Sequence, residues 1–333
     1  MKSWRINELG LPWEKCQVEE MALPEVPDGA CRVQVEATDL NFADILQCEG
    51  KYQVKIDPPF TPGMSAAGLV IASAADAKYQ PGDRIVGPTL LGSGGYAEEA
   101  LVLADRSTRI PEGVSVQDAV AMHVTYGTAW FGLHLRGQLQ PGETVLVLAA
   151  AGGVGAAAVE LAREHGCWVI AAAGGPGKLE TCRDRLRADE VIDYNGEDFY
   201  QRVMEMTAGR GVDVVYDPVG GDYFDVARRL VAWEGRYLVI GFAAGDIPRA
   251  PMNHALVKNY SIVGVHMGGY RGRDEKSFER CYEELFALLK ADRIHPLIDR
   301  TVGFESLGNA MLDLYERQTV GRVLFDPRIK NAR

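Results

Sequence analysis

The residues of this chain whose types and spacing most directly suggest chemistry are Gly152, Gly153 and Gly155, in the run A-A-A-G-G-V-G at 149–155. Glycine lets a backbone turn sharply and approach a phosphate closely, and the unpaired N–H groups at the start of a following helix attract an anion. A pyrophosphate would sit on Gly152, Gly153, Val154 and Gly155. Ala150 stands where the G-x-G-x-x-G fingerprint has its first glycine, so the turn must tolerate an alanine. The other reactive types are scattered. Six cysteines form no C-x-x-C pair and six histidines have no metal-ligand spacing, which suits reduced thiols and excludes a zinc cluster of the usual kind. His123 lies in an apolar helical run and reads as a core or boundary histidine. Asp44 reads as a helix-surface carboxylate or one supporting a neighbour, and Glu283-Glu284 as a solvated helix face.

The glycine turn needs a strand before it and a helix after it. Residues 144–149 are a short apolar run behind Pro141-Gly142, residues 153–165 carry helical periodicity, and 167–173 form a second buried strand. That is a βαβ unit. Further strand-like segments at 190–193, 212–217, 236–241 and 261–265 alternate with helices, predicting a doubly wound parallel sheet. Before residue 104 the punctuation is that of a β-rich domain, with short segments at 31–37, 67–73 and 84–87 between Pro and Gly clusters and one helical turn starting near Asn41. Helical periodicity begins near Val116, a second helix opens at 125–133, and the domain boundary falls between them. Residues 276–290 predict an amphipathic helix, and 320–326 a closing strand.

With 333 residues, two domains are expected, and 47% hydrophobic with 24% charged residues is ordinary soluble composition. A net charge of −11 offers no basic field to nucleic acid or an anionic membrane. No window approaches the ~18 uninterrupted apolar residues of a membrane span, and the start of the chain lacks the apolar core of a signal peptide, so the expected location is cytoplasmic.

The pieces N-F-A-D (41–44), P-G-D-R-I (81–85), A-A-A-G-G-V-G (149–155), D-V-V-Y-D-P-V-G-G (213–221) and V-I-G-F-A-A-G (239–245) resemble, in this order and spacing, the quinone oxidoreductase and zeta-crystallin branch of the medium-chain dehydrogenase/reductase family. The resemblance implies an α/β chain made of a GroES-like catalytic domain, residues 1–123 and 266–333, and a Rossmann domain, residues 124–265. It also implies a homodimer formed through the last Rossmann strand. Zinc enzymes of the superfamily carry a cysteine ahead of the N-terminal helix and the sequence G-H-E further on. Here Asp39 to Asn41 and Gly63-Met64-Ser65 stand in those places, so no catalytic metal is expected and an already electrophilic acceptor is.

The second strand of the βαβ unit ends A-A-A-G-G-P-G-K without the acid that holds an adenosine ribose in NAD-preferring domains. Lys178, and Tyr194 in V-I-D-Y, match a lysine and a tyrosine of NADPH reductases, so the resemblance implies NADPH. Their plainer readings are a solvated helix-start lysine and a strand-end aromatic. By family position Asn41 orients the acceptor or the nicotinamide ribose and Tyr52 contacts the acceptor oxygen, whereas the plainer roles are a helix cap and packing. Thr128, Val219, Gly220, Gly241, Phe242, Asn253 and Arg322 complete the implied cofactor set. The expected activity is a zinc-independent NADPH:quinone oxidoreductase acting on a quinone or activated enone. The alternatives are an enoyl-thioester or 2-alkenal double-bond reductase and, in another class, a low-turnover NADPH-binding structural or RNA-binding protein.

Overall fold

The computed structural model describes residues 1–330 apart from 24 and 197, and divides into two compact units. The first contains Met1–His123 and the chain from Ile298 onward, and the second is Val124–Leu297.

The first unit is built on a largely antiparallel sheet in the order Ile298–Val302, Arg322–Phe325, Ala30–Asp39, Ser65–Ser73, Arg84–Pro88, Thr108–Arg109, with Glu99–Leu103 pairing Ala30–Asp39. Val33 and Val35 alternate inward along the long strand and meet Val70, Ile85, Ala100 and Val102, all 0–1% exposed. Each such Val or Ile contributes about 1.5–3 kcal/mol by leaving water. Two registers of this sheet matter for the chemistry. Arg322–Phe325 runs antiparallel to Ala30–Asp39 with Leu324 opposite Asp39, and Ser65–Ser73 runs antiparallel to it with Ala67 opposite Ala37. Continuing each by two residues brings Arg322 opposite Asn41 and Ser65 opposite Asp39.

The second unit is a six-stranded parallel sheet in the order Glu190–Asp193, Trp168–Ala173, Thr144–Val147, Val212–Asp217, Val231–Val239, Ser261–Gly264. This is the doubly wound order, with its switch point between Thr144–Val147 and Val212–Asp217, where strand ends open a crevice for a ligand. Val145, Leu146, Val169, Ile170, Val214 and Val215 are fully buried, as strands covered on both faces require.

Three expectations change. The helix beginning at Val116 continues unbroken to Trp130 and widens into a π-helical segment at Phe131–Arg136, so no second helix opens at 125. The fifth strand starts earlier, at Val231, because Glu234 in a left-handed conformation (φ 60°) and Gly235 let the strand continue through an irregular register. Residues 266–297, expected in the catalytic domain, pack with the second unit. The helix Glu275–Lys290 buries Phe278, Cys281, Tyr282, Leu285 and Phe286 at helical spacing, with the Phe278 ring tilted against Phe131 at 4.9 Å between centroids. Glu283 and Glu284 stand on a solvated helix face as expected, and Glu284 also accepts the indole N–H of Trp130 at 2.7 Å.

Candidate functional site

In the first unit the site begins where the long strand gives way to the helix Phe42–Cys48. Asn41 caps that helix in an extended conformation (φ −120°, ψ 145°). Three residues on, Asp44 turns back. Its carboxylate accepts from the backbone N–H of Asn41 at 2.9 Å, the N–H of Met64 at 2.9 Å and the phenol of Tyr96 at 2.8 Å. Asp44 is fully buried, which corrects the helix-surface alternative and leaves the one in which it supports its neighbours. Burial, helped by the nearby Asp39 charge, pushes its carboxyl up to about 6 against the three donors that favour the anion. Burial and the Asp44 charge also raise the Tyr52 phenol, so that hydroxyl stays protonated as a donor.

The side-chain oxygen of Asn41 faces the far end of the chain. Arg322 Nη2 donates to Asn41 Oδ1 at 2.8 Å and also pairs with Asp39, while Ser65 donates to the other Asp39 oxygen. Asp39 is fully buried and Arg322 is 8% exposed. The extrapolated strand register accounts for these contacts, since it sets Arg322 opposite Asn41 and Ser65 opposite Asp39.

In the second unit the glycine run turns as expected, with one difference in where the strain lies. Ala149 takes the left-handed conformation (φ 49°), Gly152 caps the helix Gly153–Glu164, and Gly152 N–H returns to Ala149 C=O at 2.9 Å. A Cβ on Gly155 would stand 2.2 Å from the Ala149 carbonyl oxygen, so glycine is required there for helix and strand to touch. The N–H groups of Gly153, Val154 and Gly155 lie in the first helical turn, where no intrahelical acceptor exists.

Lys178 stands half-buried on the short helix Pro176–Glu180, directly after the second strand. Tyr194 lies beside that strand's tip, close enough that a Cβ on Gly174 would be 3.2 Å from its ring. The same tip holds a carboxylate from the third strand: Asp193 accepts the N–H of Gly175 at 3.2 Å and of Asn195 at 2.9 Å.

The loops after the fourth and fifth strands are tied together. Asp217, 2% exposed, accepts from Val219 N–H at 2.7 Å, from Gly220 N–H at 3.0 Å and from the Tyr237 phenol. Gly220 (φ 67°) sits where a Cβ would meet the Phe242 ring at 2.9 Å, and Ala244 N–H reaches Val219 C=O at 2.9 Å. Gly241 and Phe242 therefore line one continuous loop surface with Val219 and Gly220. Thr128 spends its hydroxyl proton on Val124 C=O at 2.7 Å, leaving lone pairs to accept from a ligand amide. Asn253 is exposed on the helix Met252–Lys258 and, among the described residues, makes no hydrogen bond to these loops.

Comparison with known proteins gives these arrangements a family. Residues 27–112 match the alcohol dehydrogenase GroES-like domain, and residues 153–289 match the zinc-binding dehydrogenase model. Over 310 residues, 92% of this chain and 88% of the other, it is 39% identical to quinone oxidoreductase-like protein 2 of Bos taurus. The chain belongs to the quinone oxidoreductase branch of the medium-chain dehydrogenase/reductase family. A probable oxidoreductase of Mycobacterium abscessus superposes with TM-score 0.88 at 32% identity, covering 98% of this chain and 99% of that one. The Escherichia coli quinone oxidoreductase, solved with NADPH, superposes with TM-score 0.88 at 25% identity, covering 98% and 100%. Zinc binding, which appears in one model's description, needs donors that positions 39–41 and 63–65 of this quinone oxidoreductase relative do not offer. Asn41 Oδ1 and the Asp39 carboxylate are already committed to a guanidinium and a hydroxyl.

Sequence reasoning passed over Asp39, Asp193 and Asp217. Asp217 lay in a quoted motif, and the spacing N-x-x-D at 41–44 is a capping-box signal that could have marked Asp44 as inward. Asp39 had no local signal, because its partners come from residues 65 and 322.

Proposed function

We propose that this chain is an NADPH-dependent, zinc-independent reductase that delivers hydride to a quinone or an activated enone. Bound NADPH supplies the hydride. The observation that carries the reading is the Asn41–Arg322–Asp39 cluster at the place of the zinc ligands, in a chain 39% identical to a quinone oxidoreductase-like protein. A guanidinium and neutral donors there suit an oxygen that gains charge during reduction, and they do not need a metal to polarise it.

The chain's own groups divide the work. Gly153, Val154 and Gly155 offer N–H groups to a pyrophosphate. Lys178 and Tyr194 meet a 2′-phosphate where an NAD-preferring domain would place an acid. Val219, Gly220, Gly241 and Phe242 form the surface for the nicotinamide half, with Thr128 accepting from its carboxamide. Asn41 orients the acceptor, and the protonated Tyr52 phenol donates to its oxygen. Asn253, exposed and outside the hydrogen-bonded loops, is the weakest member of the set.

The functional unit is proposed to be a homodimer. Ser261–Gly264 is the edge strand of the parallel sheet, with Ile262 and Val263 only half-buried, and an edge of this kind is completed by a second copy. Light scattering of wild type and Ile262→Lys tests this. No helix among the described residues is long and apolar enough to cross a membrane.

The test of the activity is NADPH oxidation against benzoquinone, naphthoquinone, 2-alkenals and enoyl-thioesters. Turnover with quinones supports the reading. Turnover confined to thioesters or alkenals would replace the acceptor class and leave the cofactor reading intact.

A further inference from the structure

Cys16 and Cys48 lie far apart in sequence, and the first unit folds their sulfur atoms together. Cys48 ends the helix Phe42–Cys48 and is 1% exposed, whereas Cys16 opens the strand Cys16–Glu20 and is half-buried. The pairing of Lys2–Ile6 with Cys16–Glu20 sets Cys16 opposite Ile6. Ile6 in turn packs with Cys48 and Phe60 in a small apolar cluster that Cys16 and Ile56 border. Gly10 N–H donates to the Cys48 carbonyl at 3.0 Å, which ties the turn ahead of Cys16 to the end of the helix. The two thiols thereby stand within hydrogen-bonding reach of each other.

The other cysteines are placed differently. Cys31, Cys167, Cys182 and Cys281 are all buried, Cys31 accepting from the Ser73 hydroxyl and Cys167 donating to Gln140 C=O. Within the pair the roles are unequal. Contact with Cys16, and then burial, raises the Cys48 thiol, so Cys48 keeps its proton. An oxidant in solution meets Cys16 first, because Cys16 has the larger exposed surface of the two.

We propose that Cys16 and Cys48 form a reversible oxidative modification site, at which a hydroperoxide converts the two thiols into a disulfide within the chain. The Cys16 sulfur attacks a peroxide oxygen, the O–O bond breaks, and a sulfenic acid forms on Cys16 as one water leaves. The Cys48 sulfur then attacks the Cys16 sulfur, the S–O bond breaks as the S–S bond forms, and the released hydroxide takes the Cys48 proton as a second water. Two thiols lose two electrons and two hydrogens, and hydrogen peroxide is reduced to water. The new bond closes a loop of about 30 residues. It fastens the end of the helix that Asn41 caps to the N-terminal hairpin, just ahead of Tyr52, whose N–H is held by Leu46 C=O at 3.0 Å. Nothing in this pairing depends on which cofactor or acceptor the chain takes.

The test uses the full chain, reduced with dithiothreitol, desalted and treated with hydrogen peroxide. Digestion without reductant by a glutamate-specific protease leaves Cys16, Cys31 and Cys48 on separate peptides for mass spectrometry. The Cys16 peptide is expected joined to the Cys48 peptide with the mass of two hydrogens lost, within one chain on a non-reducing gel, and released by dithiothreitol. The melting temperature of the oxidised chain is expected to rise by about 5 °C and to fall back on reduction. Cys48→Ser leaves the Cys16 sulfenic acid without a thiol to resolve it, so its dimedone adduct is expected to be at least about fivefold more abundant than in wild type. Peroxide-treated wild type in which both cysteines remain alkylatable overturns the proposal. So does oxidation of Cys16 to the sulfinic acid while Cys48 stays a thiol, or a disulfide that joins either cysteine to a different partner. If Cys48→Ser does not fold, the wild-type peptide map alone decides.

Discussion

Asn41 accepts a hydrogen bond from Arg322 at 2.8 Å, although the two lie 281 residues apart in the chain. The end of the long strand Ala30–Asp39 and the start of the last strand, Arg322–Phe325, meet there, so truncating Asn41 removes the amide and releases one side of the guanidinium. Asn41→Ala is expected to lower kcat with benzoquinone by about tenfold while the melting temperature changes little, since a half-buried helix cap contributes only ~1 kcal/mol. Steady-state kinetics beside a thermal melt check it. An unchanged kcat would leave Asn41 as a helix cap.

The strand tip beside Gly174 and Gly175 carries opposite charges, Lys178 and Asp193. Lys178→Ala should reduce the ratio of kcat/KM for NADPH over NADH by about tenfold, the contribution of one charge-assisted contact to the 2′-phosphate. Asp193→Asn should raise the same ratio, because a negative charge is removed near the phosphate. If both variants keep the wild-type ratio, selectivity resides elsewhere.

Ala149 and Gly155 make opposite demands on the phosphate turn. Ala149 sits at φ 49°, which costs an L-residue about 1 kcal/mol, so Ala149→Gly should melt no lower than wild type. Gly155→Ala drives a Cβ to 2.2 Å from the Ala149 carbonyl and must separate helix from strand. Calorimetric titration with NADPH should then find affinity lost by more than about tenfold in Gly155→Ala, and retained in Ala149→Gly.

Two buried groups oppose each other in acid. Asp44 has its carboxyl raised from 3.8 to about 6, so the folded state binds the extra proton and stability falls as pH rises from 4 to 6, by up to about 3 kcal/mol. His134 is pushed down from 6.5 to about 4 by burial and by His165, so the unfolded state binds the extra proton and stability rises with pH across nearly the same window. Asp39, Tyr96 and Tyr52 stand around Asp44, and burial and the Asp44 charge raise both phenols, so they stay protonated over that range. Urea unfolding between pH 4 and 7 should therefore show a steeper rise in Asp44→Asn than in wild type, and a fall in His134→Gln. Wild-type slopes in both variants would contradict the assignment.

Tyr216 is fully buried in the fourth Rossmann strand, and among the described residues its hydroxyl has no hydrogen-bond partner. Removing an unsatisfied buried hydroxyl relieves a cost, so Tyr216→Phe should gain about 1 kcal/mol by chemical denaturation. A loss of that size would mean the hydroxyl is satisfied in solution.

Most of the fold was legible because its signals are local. Apolar runs of four to six residues behind turn residues marked Thr144–Val147, Trp168–Ala173, Glu190–Asp193 and Val212–Asp217 to within two residues. The early start of the fifth strand was hidden because Glu234-Gly235 reads as a turn and acts as a bulge. The assignment of residues 266–297 was hidden because it depends on Phe278 meeting Phe131, a contact no window contains. The phosphate turn was legible from three glycines. The carboxylates that shape the sites were not, because Asp39 acts through strand register and Asp217 through loop N–H groups, and a lone Asp carries neither relation in its sequence.

The central claim is tested most directly by mixing chelator-washed protein with benzoquinone and either NADPH or NADH, and following cofactor oxidation. Quinone-dependent oxidation that survives the chelator and runs at least about tenfold faster in kcat/KM with NADPH is the predicted result. Oxidation that is absent with every quinone, or that requires restored metal, would contradict the account.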